Sequence, residues 1–398
     1  MADLPTDQPT DQPIETSPRS YAPDSGSLGE DARWSSLWAA MREQPAHRFT
    51  FAQFMEWALY HPQFGYYGSG RVQIHRGGDF LTSPEISPVF GQLLAVQVGR
   101  FWRQMGRPGH WTVVEGGAGS GSLAVALLNA LRQEDPQCYD HLTYALVERS
   151  PTARRIQQQR LTEHPVVHWA DWTEGHGLVG CVLSNELLDA LPVHRIRWHH
   201  GDWQEIYVQP GDPLIETVDA LSTPRIREYL ALSGLTDPPM APWTEGYTTE
   251  IHLAVLDWLS QVDRLLDQGY VLTIDYGHPA HRYYQARRTQ GSLLCYHQHR
   301  TSGDPYQRVG EQDITAHVNW TAVEAWGSRL GWQRVTSVSQ SEFLAELGLL
   351  DRLAALSQAT DLAVALDQRQ RYQALLDPAG LGGLTVLIQA KGLPSGHL

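Results

Sequence analysis

Lysine is almost absent from this sequence. Lys391 is the only one, and arginine supplies the rest of the 30 basic side chains. Against 44 acidic residues they leave a net charge of 30 − 44 = −14. A protein that holds nucleic acid through its phosphates needs clustered cations, so that class is disfavoured, although a local basic pocket is not. Cysteine is scarce as well. Cys138, Cys181 and Cys295 stand far apart without CxxC spacing, which argues against a disulfide framework or a zinc knuckle and fits a reducing compartment. No run of about 18 apolar residues occurs, so no membrane-spanning helix is expected. What is present in quantity is core material: hydrophobic residues make up 42% of 398, enough for most of the chain to fold. At roughly 150 residues per domain, the length predicts two or three units, or one core with large insertions.

Residues 1–31 repeat PTDQPTDQP and continue in Ser, Pro, Gly and Asp. So little apolar surface predicts a disordered tail. The stretch has no apolar h-region, and Asp3, Asp7, Asp11 and Glu15 precede its first arginine, Arg19. Neither a secretory signal nor a mitochondrial transit peptide is expected, and a cytoplasmic, bacterial protein is the simplest expectation. Residues 32–76 read as a helical N-terminal segment. Trp34, Leu37 and Met41, then Phe51, Phe54, Met55, Ala58 and Leu59, recur at helical steps, Thr50 suits a cap, and Pro62, Gly65, Gly68 and Gly70 break the pattern. Beyond residue 77, short apolar runs alternate with helical stretches. Strands are predicted at 111–115, 141–148, 166–169, 181–184, 270–275, 332–335 and 384–390, and helices at 123–131 and 152–161. This alternation predicts an α/β fold, a mostly parallel, Rossmann-like sheet of about seven strands with helices on both faces. The core falls on 77–197 and 269–398, with insertions at 198–268 and about 279–318.

The strongest local signal is VVEGGAGSGSLA at 113–124, a buried strand that ends in an acid, runs through alternate glycines and opens a helix. Glycine lets the backbone approach a ligand and take positive φ, and the helix N-terminus offers free N–H groups. Two ligands compete for such a turn. Gly119, Gly121 and Ala124 satisfy the dinucleotide pattern GxGxxG/A. Glu115, Gly117, Gly119 and Gly121 satisfy ExGxGxG, the pattern favoured for S-adenosylmethionine. There the strand-end acid meets the ligand's ammonium group, which a dinucleotide lacks. Glu148 ends the next strand, where an acid grips both ribose hydroxyls. Asp171 and Trp172 follow the third strand, placed to hold the adenine amino group and to pack on its ring.

Asn185, Glu186 and Asp189 follow the fourth strand. Ligands in open α/β sheets sit beyond the strands' carboxyl ends, which puts this amide and these two acids over the reacting group. In a helix Glu186 and Asp189 would share a face. A competing structural reading makes Ser184 or Asn185 a helix cap with Glu186 in the first turn. In the front loop, Ser83, Pro84 and Glu85 read as a helix start, while Gly77, Gly78, Asp79 and Phe80 suit a loop closing over a ligand. No metal is called for.

These blocks together resemble the MidA-like family of S-adenosylmethionine-dependent methyltransferases. The matching pieces are HPQFGYY (61–67), GGDFLTSPEISPVFGQLLA (77–95), VVEGGAGSGSLA (113–124), VLSNELLDALPVHR (182–195), LTIDYGH (272–278) and DPYQRVGEQDITAHVNWTA (304–322). The resemblance implies a seven-stranded methyltransferase sheet whose last strand, here 384–390, is antiparallel. It marks Glu115, Gly117, Gly119 and Gly121 as the cofactor turn, with Gly78, Asp79, Glu148, Asn185 and Glu186 beside it. It implies methylation of an arginine of a respiratory complex I subunit in support of complex assembly. The expected partner is thus an arginine-bearing protein subunit, with no nucleic acid and with a homodimer left open. The sequence departs from the family pattern at Ala118, at Leu187 or Leu188, and at Asn319, where an acid is usual. Asp275 and Tyr276 close the fifth strand and either face the substrate or pack. Two other readings stay open: a dinucleotide-dependent oxidoreductase, and an assembly chaperone that keeps a cofactor pocket without catalysis.

Overall fold

A computed structural model describes residues 28–70, 82–172, 175–235 and 243–394. Its centre is one sheet of seven strands, which we number β1 (Trp111–Gly116), β2 (Leu142–Val147), β3 (Val167–Trp169), β4 (Leu178–Asn185), β5 (Leu266–Asp275), β6 (Gln333–Ser339) and β7 (Thr385–Lys391). Across the sheet they lie in the order β3-β2-β1-β4-β5-β7-β6. The pairs from β3 to β5 are parallel, and β7 runs antiparallel between β5 and β6. The strand order reverses beside β1, between β1 and β4, which is where an open α/β sheet leaves a crevice beyond its carboxyl edge.

The central strands are nearly continuous runs of buried residues because helices cover both faces. One face packs against helices Pro88–Gln104 and Ser122–Glu134, through Phe90, Leu94, Phe101, Leu127 and Leu131. The other packs against Arg225–Leu232, Leu253–Leu265 and Trp320–Arg329, through Tyr229, Leu256, Leu259, Trp320 and Val323. The expected strands each appear, mostly longer than read. The fourth starts at Leu178 and the fifth at Leu266, because Gly180 and Gly269, where Cβ atoms would meet the neighbouring strand, continue pairing that the apolar pattern did not show.

Segments that read as separate pieces form one second lobe. Phe49–Thr50 pairs antiparallel with Asp202–Gln209, which also carries His194–His199 and Ile215–Asp219, and Thr248–Ile251 completes that sheet. The helix Phe51–Tyr60 buries Phe51, Phe54 and Met55 in one cluster with Val208, Cys295, Val309 and Ile314. Thr50 starts this helix with a reciprocal capping box to Gln53, as expected of a cap. Within the first helix, Leu28–Arg42, Arg33 Nη1 donates to the Val309 carbonyl at 3.0 Å. The boundaries 32–76, 198–268 and 279–318 therefore divide one unit. The sheet of this lobe already begins at His194, and Leu253–Leu265 is a crossover helix of the core leading into β5. No described helix is long and apolar enough to cross a membrane.

Candidate active site

Between the carboxyl edge of the sheet and the second lobe lies a cleft of about 1660 Å³. That is room for a nucleoside and for a side chain entering from another molecule. Its floor is the glycine turn. Gly117, Gly119 and Gly121 have φ of +68°, +53° and +78°, a region that side chains with a Cβ rarely enter. At Gly117 a Cβ would also stand 2.8 Å from Leu187 Cδ1. The Gly117 N–H donates to Val147 O at 2.9 Å and the Gly121 N–H to Ala118 O at 2.8 Å, fixing the turn. Ser120 Oγ accepts the Ser122 N–H at 3.2 Å where the following helix starts.

Glu115 is 3% exposed, and its Oε2 accepts the Tyr144 hydroxyl at 2.8 Å. Burial pushes its pKa up to about 8, opposed by the Tyr144 hydrogen bond and assisted by the charge of Glu148. A buried carboxyl in this state is stabilised as its anion by any cation brought beside it. Glu148 stands just past β2. Its Oε1 accepts the Ser150 N–H at 2.8 Å and its Oε2 the Gly119 N–H at 3.0 Å, so the second acid is tied to the glycine turn. Trp172 lies against the end of β1, where a Cβ on Gly116 would stand 2.6 Å from its ring, and it meets Trp258 edge-on at 5.9 Å. Asp171 also lines the cleft but is exposed and pairs with Arg154 at 2.9 Å.

The end of β4 forms the opposite bank. Glu186 has φ of +50°, the left-handed region in a residue that is not glycine. Its N–H donates to Ile274 O at 2.8 Å. Its Oε1 accepts the Ser83 N–H at 3.2 Å and the Asn185 amide at 3.0 Å. Burial, with Asp189 nearby, pushes its pKa up to about 8. The Asn185 Oδ1 is buried with no partner among the described residues, an acceptor waiting for a donor. The alternative reading of a helix over 186–189 is not met, and the segment is a run of bends ending in a turn. Glu186 and Asp189 consequently share no helix face. Asp189 is 8% exposed and outside the cleft lining, beside Asp275, and burial raises its pKa. The placement of Asp189 over the reacting group is corrected on this ground: the left-handed residue turns the chain inward before it.

The front loop differs in detail from its reading. Thr82, not Ser83, precedes the short helix Ser83–Ile86, and Ser87 caps the next helix by accepting the Val89 N–H at 3.3 Å. Ser83 Oγ donates to Gln340 Oε1 at 3.1 Å, and Glu85 accepts from Ser120 Oγ at the glycine turn. Gly78 and Asp79 lie outside the described residues. His317 is half-buried outside the cleft lining, and Asn319 caps the helix Trp320–Arg329 while its amide donates to Ser233 and Tyr284.

The wall that faces the sheet went unassigned in the sequence. Trp57, Tyr60, His61, Tyr66 and Tyr67 line it. Tyr60 and Tyr67 stack at 5.7 Å, the Arg149 guanidinium lies 4.5 Å from the Tyr60 ring, and Arg149 Nη2 donates to Glu56 at 2.6 Å. The helical spacing read over 51–59 did not name these aromatics, and the stretch after Tyr60 was read as a helix stop. The signal that they border a site is the glycine-aromatic block HPQFGYY directly after a helix stop.

Residues 93–338 match the model of a family described as "Putative S-adenosyl-L-methionine-dependent methyltransferase". The mitochondrial protein arginine methyltransferase NDUFAF7 homolog of Drosophila melanogaster is 29% identical over 383 residues, covering 87% of this chain and 82% of its own. The human protein arginine methyltransferase NDUFAF7 is 26% identical over 369 residues, covering 84% and 78%. A crystal structure from Burkholderia thailandensis, bound to S-adenosyl-homocysteine, superposes with a TM-score of 0.81 at 32% identity and covers 94% of this chain and 96% of its own. The cleft suits that ligand class. Glu115 is a buried acid for an ammonium group, Glu148 an acid for ribose hydroxyls, the glycine turn a backbone surface without side chains, and Trp172 an apolar ring beside it. A dinucleotide has no ammonium group for Glu115, and with the family match the oxidoreductase reading is dropped. Sheet order, cleft chemistry and these likenesses agree: the chain belongs to this family of S-adenosylmethionine-dependent methyltransferases.

Proposed function

We propose that this methyltransferase acts on an arginine side chain of a protein. The observation that carries the reading is the pair at the end of β4: Asn185 Oδ1, buried with no partner among the described residues, beside the buried Glu186 carboxyl. A guanidinium has N–H donors in a planar fork but no free lone pair on nitrogen. It must be oriented by acceptors and must lose a proton as its nitrogen attacks. Asn185 Oδ1 accepts one N–H, and Glu186 accepts another and takes the proton. Bound S-adenosylmethionine supplies a methyl group on a positively charged sulfur. The nitrogen–carbon bond forms as the carbon–sulfur bond breaks, the bonding pair stays on sulfur, and the proton passes to Glu186. The aromatic wall of Trp57, Tyr60 and Tyr67 excludes water and lies along the stem of the incoming side chain. Relatives that align over most of their length carry the name protein arginine methyltransferase, which supports the same substrate.

We extend the proposal to an arginine-bearing subunit of an NADH dehydrogenase-type complex, methylated in the cytoplasm during assembly, with a homodimer as one possible state. Quantitative mass spectrometry of arginine peptides from cells with and without this protein tests it. A methylarginine peptide that disappears with the protein, and stays lost with Glu186→Gln, supports the reading. No difference in any such peptide overturns it and favours the chaperone.

A further inference from the structure

The block LTIDYGH has no part in the site so far, and its acid has an unusual position. Asp275 ends β5 directly beside the β4 end, is fully buried and does not line the cleft. Of the two readings of this strand end, facing the substrate or packing, its carboxylate follows the second. Its Oδ2 accepts the N–H of Leu188 at 2.7 Å and of Asp189 at 3.4 Å, and Oδ1 accepts the N–H of Tyr276 at 2.8 Å.

The parallel ladder between β4 and β5 explains what this does. Its last matched pair is Asn185 with Ile274, and the Glu186 N–H still finds the Ile274 carbonyl at 2.8 Å. Past that point β5 has no further backbone acceptor in line. The Asp275 side chain supplies the next two, at Leu188 and Asp189. The stretch from 185 to 189 is thus stapled to β5 on both sides of the left-handed Glu186. A left-handed glutamate does not hold itself in that region, so surrounding bonds must impose it. Once it is imposed, the Glu186 side chain points to Ser83 and Asn185, whose donors converge on one of its two oxygens.

We infer that Asp275 is a positioning residue for methyl transfer, its carboxylate prolonging the β4–β5 ladder so that the Asn185–Glu186 turn presents its two side chains to the acceptor. The inference rests on the reading of Asn185 and Glu186 given under the proposed function. Asp275 touches neither methyl donor nor acceptor. It acts through the turn, and replacing it changes the geometry of Glu186 while leaving the glycine turn on the far bank in place.

The test compares full-length wild type, Asp275→Ala, Asp275→Asn, Glu186→Gln and the double variant Asp275→Asn/Glu186→Gln. Three quantities are read: S-adenosylhomocysteine affinity by calorimetry, amide exchange of residues 183–192 by mass spectrometry, and tritium transfer from methyl-labelled S-adenosylmethionine to a lysate of cells lacking this protein. Affinity is expected to stay within about twofold, because the glycine turn, although Leu187 packs against it, is fixed by its own hydrogen bonds to Val147 and Ala118. Exchange at Leu188 and Asp189 is expected to speed by about 100-fold in Asp275→Ala as their acceptors vanish. Transfer is expected to fall by about 100-fold in Asp275→Ala, and less in Asp275→Asn, which keeps one oxygen, as misplacement of a reacting group by about an ångström does elsewhere. The double variant is expected to be no slower than Glu186→Gln alone.

Unchanged transfer, losses that multiply in the double variant, or affinity falling in parallel with transfer overturns the inference. Should Asp275→Ala fail to fold, Asp275→Asn carries the same comparison. If wild type labels no protein, or Glu186→Gln transfers like wild type, the reading beneath fails and takes the inference with it. Amide exchange, which needs no methyl acceptor, still shows in that case whether the staple itself exists.

Discussion

Two turns face each other across the cleft, and both need backbone that ordinary residues avoid. The turn after β1 obtains it from composition: Gly117, Gly119 and Gly121 all carry positive φ. The turn after β4 obtains it from bonding: Glu186 sits at φ +50° because Ile274, Asp275 and Ser83 bind the chain around it. The difference follows from what each turn must offer. The first receives a ligand against bare backbone, so side chains are excluded and glycine costs only chain entropy. The second, on the function proposed above, carries a carboxyl and an amide to the reacting atoms, so the conformation has to be imposed on residues that resist it. The turns also touch, through the space left where Gly117 lacks a Cβ and Leu187 fills it.

The comparison breaks most sharply at that contact. Gly117→Val is expected to weaken S-adenosylhomocysteine binding by on the order of 1000-fold in calorimetry, since the substitution is strained in φ and collides with Leu187. With the smaller Gly117→Ala, adding Leu187→Ala should recover part of the loss. No recovery would mean that the strain is confined to the first turn. Next in size, Glu186→Gln should lower kcat by about 100-fold with cofactor affinity unchanged. Glu186→Gly should be equally inactive yet melt no lower than Glu186→Gln, because it removes the left-handed penalty of roughly 1 kcal/mol. A lower melting temperature for Glu186→Gly would show that the turn is not strained.

A smaller effect separates the two acids by ligand. The Glu115 pKa of about 8 leaves much of this carboxyl protonated at pH 7. An ammonium beside it lowers that value, so binding should release up to about one proton, visible as a buffer-dependent heat. Glu115→Gln should abolish the release and cost about tenfold in affinity, whereas Glu186→Gln should leave the release intact. A last effect is on folding. Both pKa values are raised, to about 8 from an ordinary 4.5, so between those limits the unfolded chain has lost protons that the folded chain keeps. Stability of the ligand-free protein then falls as pH rises from about 4.5 to 8 and is highest at the acid end, as far as these two groups decide it. The Glu115→Gln/Glu186→Gln double variant should flatten that slope in denaturant titrations. An unchanged slope would place the effect on other buried acids, Asp189 and Asp275 among them.

How legible each turn was in the sequence follows from the same distinction. Glycines spaced by two after an apolar strand disclose the first turn because the requirement and the residue are local. Glu115 and Glu148 were legible for a related reason, as acids at the ends of apolar runs. The second turn was only half legible: its residues were placed at the ligand end of β4, but Asn-Glu-Leu-Leu-Asp also allowed a helix start, with helical spacing and an acid in the first turn. The bonds that defeat the helix come from residue 83 and from 274–275, about 100 and 90 positions away. No local pattern carries that. The aromatic wall failed differently. Trp57 and Tyr60 lie on the helix Phe51–Tyr60 and Tyr67 past its end, and what turns them toward the cleft is the joining of chain segments near 50, 200 and 310 into one lobe. The inner strands of the sheet were readable because strands buried on both faces show nearly continuous apolar runs, whereas the edge strands Val167–Trp169 and Gln333–Ser339 are half-buried or exposed and left a weaker signal.

The strand Thr385–Lys391 is latest of the described strands in chain order, yet it occupies an interior slot between β5 and β6. A chain emerging from the ribosome must therefore carry a nucleotide-binding sheet with a gap in it, two raw edges at β5 and β6, until that strand arrives. Any truncation that removes this strand leaves both edges open and sticky, one of them on β5, the strand that bears Asp275.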